Sequence, residues 1–144
     1  MPDLLVEAGP VMRPDADALA KVRERDNDCC AWCGKPIWGE RGRDWSLHHR
    51  RPAGMGGDKK PETHSPANLV LLHGSGTTYC HGRVEKYRTD AMARGYLISR
   101  HGNQPPSSFC IEHAVHALCY LLDDGSVKPV ESWTEAPVFD VEAP

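Results

Sequence analysis

Residues 68–85 read NLVLLHGSGTTYCHGRVE, and this stretch decides the fold. Asn68 to His73 is a short apolar run of strand length. Gly74 to Thr78 is a loop whose threonines can cap a following helix. That helix is expected from about Tyr79 to Arg94, with Val84, Tyr87 and Ala91 on one face and Gly95 as its stop. A metal held by His73 and Cys80, which bracket the loop, would tie the end of the strand to the start of the helix.

Working outward toward the N-terminus, the basic, glycine-rich segment Ala53–Pro66 reads as a loop, and Trp45–Arg50 as a strand that Pro52 ends. Residues 29–38 (CCAWCGKPIW) read as a tight metal-binding turn. Pro14 to Asp26 suggests a short helix with Ala18, Leu19 and Val22 as its apolar positions and Asp15 as N-cap. Residues 1–13 show no periodicity and are expected to be a flexible arm. Toward the C-terminus, residues 102–108 (GNQPPSS) read as a linker. The runs around Ala114–Leu122 and Val127–Val130 flank Asp124-Gly125, a hairpin signal. The expected organisation is an arm (1–13), one small α+β domain (14–101), and a linker with an acidic, hairpin-like extension (102–144).

The chain has 144 residues, of which 40% are hydrophobic, enough for one core. No apolar run approaches the roughly 20 residues that span a bilayer, and the first residues lack the order of a signal peptide. These features predict a cytoplasmic protein with no membrane partner, whose close cysteine pairs serve metal rather than disulfides. The net charge is −3, but it is unevenly spread. Residues 41–60 carry six basic against two acidic groups and residues 81–110 five against two, whereas both ends are acidic. A basic middle between acidic ends fits a focused phosphate-binding face.

Two constellations carry chemistry. Cys30 and Cys33 stand two residues apart, able to chelate zinc from one turn, and His73 with Cys80 would complete a tetrahedron. Cys29 is an alternative to Cys30. The second constellation is His48-His49, then Asn68, then His81 with Glu85. Adjacent strand residues point to opposite sides, so His48 and His49 can divide labour, one binding metal and one activating water. His81 and Glu85 lie four apart on one helix face, the spacing that lets two side chains share an ion. Cys110, His113, His116 and Cys119 offer a tempting further metal site, but on a strand His113 and His116 would face opposite sides, so packing is the expected role.

The order CAWC, LHHRRPAGMGG, SPANLVLLHGSGTTYCHGRVE resembles the zinc-finger HNH endonucleases encoded by tailed bacteriophages, over roughly residues 22–98. The resemblance implies a ββα-metal fold in which a two-stranded hairpin and a helix clasp one divalent ion (Mg, Mn, Ni or Zn), beside a structural zinc. It implies His48 and His81 as ligands of the catalytic ion, His49 as general base, and Asn68 as the residue that orients the base. Such proteins commonly have cysteine where this chain has His73, and some have histidine where it has Glu85. Glu85 is thus open between a third ligand and a helix salt bridge. The implied substrate is DNA, with Arg50, Arg51, Lys59, Lys60, Arg83 and Lys86 on neighbouring phosphates, and the implied location is the host cytoplasm. Alternatives are a nuclease acting with phage terminase and packaging proteins, and, in another class, a non-catalytic zinc-bound nucleic-acid adaptor.

Overall fold

β1 (Trp45–His49) and β2 (Leu69–His73) pair antiparallel, with Trp45 opposite His73 and His49 opposite Leu69. The computed structural model describes residues 16–52 and 61–131; the N-terminal arm, Asp15, Lys59, Lys60 and the glycine-rich segment 53–60 lie outside them. β2 is buried along its whole length because it separates two clusters. Val70 and Leu72 pack with Cys30, Ala31, Val84, Tyr96 and Ile111, whereas Leu69 and Leu71 pack with Ala18, Val22, Trp45 and Leu47. Strand side chains alternate between faces, so a continuous apolar run is what a two-sided position requires.

The expected N-terminal helix is α1 (Ala16–Arg25), which turns Ala18 and Val22 onto the second cluster. After β2, Gly74 adopts φ +87°, and a Cβ there would sit 2.2 Å from the Thr78 carbonyl oxygen, so the loop closes tightly. Thr78 occupies the cap position, but its hydroxyl accepts from the Ser75 N–H rather than capping the helix.

The single helix expected over 79–94 is two: α2 (Tyr79–Lys86) and α3 (Arg88–Ala93). Tyr87 has non-helical dihedrals at the junction and is 50% exposed, so it does not join Val84 and Ala91 in the core. Gly95 ends α3 at φ +90°, where a Cβ would strike the Cys110 carbonyl.

The C-terminal segment forms a second antiparallel sheet, β3 (Cys110–His113), β4 (Ala117–Leu121) and β5 (Val127–Pro129). Asp124-Gly125 sits in the β4–β5 turn, Gly125 at φ +94°. Ile111, Cys119 and Leu121 belong to the same cluster as the Cys30 turn, so this sheet shares the core of the centre. The described residues form a small α+β domain with two small antiparallel sheets. Among the described residues no helix is long and apolar enough to cross a membrane.

Candidate metal centres and active site

Cys30, Cys33, His73 and Cys80 offer ligand atoms that all lie within 4.8 Å of one another. The turn that supplies the two nearest cysteines is closed by the Gly34 N–H to the Cys30 carbonyl (2.8 Å), with Gly34 at φ +80°. His73 Nε2 lies 2.9 Å from the Pro36 carbonyl, an acceptor only, so Nε2 carries the proton and Nδ1 presents a lone pair. Nδ1 is 3.2 Å from Cys33 Sγ and 4.0 Å from Cys80 Sγ. The Cys80 thiol beside Cys30 draws it well below the usual thiol range, whereas that same contact pushes Cys80 up. Thiols forced together in this way suit a soft cation that accepts their charge. Cys29 is not in the group: its thiol meets the Asn27 carbonyl instead.

β1 and α2 bring His48, His81 and Glu85 together. His48 Nε2 lies 2.7 Å from the Tyr96 carbonyl, so the proton sits on Nε2 and Nδ1 is bare. The Ser46 hydroxyl donates to the Gly74 carbonyl (2.9 Å) and therefore accepts from His81 Nδ1 (2.6 Å), which leaves His81 Nε2 bare. These two bare nitrogens face each other at 3.2 Å, and Glu85 Oε2 stands 3.5 Å from one and 3.8 Å from the other. A third proton does not bridge them readily: burial, then the neighbouring His81, holds His48 down to about 3, and burial also lowers His81 against the pull of Glu85. Three electron-pair donors converge with no hydrogen between them, an arrangement that repels itself unless a cation is bound. Glu85 Oε1 pairs with Arg88 (2.9 Å), while Oε2 faces the rings.

His49 points elsewhere, as strand alternation requires. It is half-buried, and its Nε2 lies 3.1 Å from Nδ1 of His64, a contact nothing in the sequence signalled. Burial, then the charges of His64 and Arg41, hold His49 down to about 4, so it is a free base at neutral pH. One open cavity of about 470 Å³ is lined by His48, His49, His81 and Glu85, with Arg88 and Arg100 at its wall. These two arginines were also missed from sequence, because neither belongs to a motif. Asn68 is fully buried: its Oδ1 accepts from the Arg51 N–H (2.8 Å), and its Nδ2 donates to the Arg51 and Thr63 carbonyls (3.1 and 2.9 Å). It thereby clasps the chain just past His49 to the segment that carries His64.

Two expected phosphate contacts are corrected. Arg50 is completely buried, and its guanidinium donates to the carbonyls of Gly95, Ala67, Pro106, Phe109 and Cys110. A charge so thoroughly solvated by backbone cannot also reach a surface phosphate. Arg51 is buried as well, with Nε donating to the Ser99 carbonyl (2.8 Å). Arg83 and Lys86 are exposed on α2.

The tail histidines also depart from expectation. His113 ends β3 and His116 lies in the following turn, so they do not follow strand alternation; their ring centroids are 4.7 Å apart and both approach Asp26. Cys110 and Cys119 are buried in the sheet and stand outside this group.

No family model, no curated protein and no solved structure matches the chain.

Proposed function

We propose that the protein is a metal-dependent DNA endonuclease of the HNH type, with β1, β2 and α2 forming a ββα-metal site and Cys30, Cys33, His73 and Cys80 holding a structural zinc. The observation that carries this reading is the pairing of two bare imidazole nitrogens and a carboxylate with a separate unprotonated histidine in one cavity. His48, His81 and Glu85 would hold the catalytic ion. A divalent ion bound there supplies Lewis acidity to a phosphodiester and stabilises charge on its departing oxygen.

His49 takes the proton of the attacking water, and its base form is available because burial and the nearby cations disfavour the imidazolium. Asn68 holds the backbone after His49, which fixes the direction of its ring. Arg88 and Arg100 line the cavity, where they would contact phosphates beside the scissile bond, and Arg83 and Lys86 are exposed on α2. A non-catalytic adaptor would have use for the zinc site but none for the convergence of His48, His81 and Glu85.

Plasmid cleavage with Mg²⁺, Mn²⁺, Ni²⁺ or Zn²⁺ against EDTA, run beside His49→Ala, tests the reading. Cleavage should require the ion, and the variant should lose on the order of 10²- to 10⁴-fold in rate while keeping its fold. A variant that cuts at the wild-type rate removes His49 from the chemistry.

A further inference from the structure

Among the described residues, Trp38 (56%), Tyr79 (67%) and Tyr87 (50%) are exposed large apolar side chains, the first two in one groove and the third joined to it through Arg83. Trp38 and Tyr79 line a groove of about 470 Å³ together with Trp32, Lys35 and Arg83. Arg83 also lies over the Tyr87 ring at 5.9 Å, and Lys86 lies over the same ring at 5.4 Å. Trp32 packs on Tyr96, with ring centroids 5.0 Å apart, and Arg94 lies over its ring at 5.2 Å. Among the described residues that line the groove, the anionic groups are the Cys33 and Cys80 thiolates, whose charge a bound divalent ion would reduce, against the cations Lys35 and Arg83.

Exposed aromatic rings interleaved with lysine and arginine suit nucleobases, because every base offers a π-face and every linkage a phosphate. A groove for a protein partner would more commonly be apolar throughout its centre, with charge at its rim. The position adds to this. Helix α2 separates the groove from the cavity of His48, His81 and Glu85: Tyr79, Cys80 and Arg83 face the one, His81 and Glu85 the other. A strand leaving that cavity would therefore meet the rings after crossing a single helix.

We infer that the groove lined by Trp32, Trp38 and Tyr79 binds unpaired nucleotides by stacking, so that the protein engages DNA at a junction between duplex and single strand. This rests on the nuclease reading for the identity of the polymer, but not on catalysis. The test measures binding by anisotropy in the zinc-loaded His49→Ala protein without added divalent ion. One probe is a blunt hairpin duplex and the other is the same duplex with an overhang of about six nucleotides.

The overhang should bind about 5- to 100-fold more tightly than the blunt end, given the usual worth of one stacked base. Both affinities should fall between about 50 and 200 mM salt, and the ratio should shrink without vanishing, since phosphates of the overhang on Lys35 and Arg83 release counterions whereas stacking does not. Trp38→Ala with Tyr79→Asn should bring the ratio to about one, whereas Trp38→Phe should retain most of it. Asparagine is chosen at position 79 because the backbone there has φ +52°, a region asparagine tolerates. Bound zinc per chain reports folding, and if the double variant loses zinc then Trp38→Ala alone decides. Equal affinity for the two DNAs in the parent protein, or a ratio untouched by the substitutions, overturns the inference. Because binding is read apart from cutting, a failed plasmid assay leaves this result standing, and the converse holds too.

Discussion

Two clusters in this domain contain the same side chains, two histidines and one carboxylate within 4.8 Å, yet they are opposite in kind. In the His48, His81 and Glu85 cluster, carbonyl and hydroxyl acceptors hold the ring protons on the far nitrogens, so lone pairs face inward. In the Asp26, His113 and His116 cluster the protons face inward. The Val115 N–H donates to His113 Nδ1 (3.1 Å), which places the proton on Nε2, 3.2 Å from Asp26 Oδ2. That contact is poorly aligned for a hydrogen bond and acts as electrostatic attraction. His116 Nε2 donates to the Arg25 carbonyl (2.9 Å) and lies 3.2 Å from Asp26 Oδ1. Arg25 meanwhile grips both oxygens of Asp26, at 2.7 and 2.8 Å. Burial pushes the Asp26 carboxyl up, but Arg25 and His113 outweigh it and hold it well below the usual carboxylate range. The second cluster already contains its cation, a guanidinium. What separates a metal site from a structural network is therefore the location of the protons, which the residue types alone do not reveal.

The widest effect should come from the third cluster. Chelating zinc from Cys30, Cys33, His73 and Cys80 removes a binding energy that reaches about 10–16 kcal/mol in zinc-finger peptides, and should abolish cooperative melting and both histidine clusters with it. An unchanged melt after chelation would show that zinc is not what holds the centre. Next, Asp26→Asn strands Arg25 in the core and should cost about 3–5 kcal/mol, read by denaturant titration, with the count of bound divalent ions unchanged. Loss of an ion without loss of stability would reverse the assignment of the two clusters. His81→Ala should do the opposite, weakening calorimetric binding of the exchangeable ion at least about tenfold with little change in melting. The smallest effect concerns pH. His49 is the base when unprotonated and is held near 4 by burial first, so cleavage should stay level as pH falls from neutral. It should halve only near pH 4 and decline about tenfold per pH unit below that. A limb centred near the ordinary histidine value of about 6.5 would point to another base.

The parts of this picture legible in the sequence are those set by local spacing. Cys30 and Cys33 declare a turn, NLVLLH declares a strand, and Asp124-Gly125 declares a hairpin. His81 and Glu85 lie on one helix face by periodicity alone. What escaped depends on contacts between distant segments. His64 meets His49 only because Asn68 draws the two loops together. Arg50 looked like a surface cation because nothing local announces that five carbonyls will surround it. His113 and His116 share a side because a turn, not a strand, carries the second ring. The break at Tyr87 leaves no mark in composition, and the exposed rings on the far side of α2 come from two elements separated by more than 40 residues.

Arg50 has a consequence for motion. Its guanidinium joins the carbonyls of Ala67, just before β2, of Gly95, after α3, and of Pro106, Phe109 and Cys110, at the entry to β3. Peeling away any one of these segments would leave a buried charge short of acceptors, so partial opening is disfavoured relative to opening everything. Amide protons in the C-terminal strands should therefore exchange with solvent in step with those of β2, through one shared fluctuation, and the C-terminal sheet would breathe only when the histidine-bearing hairpin does.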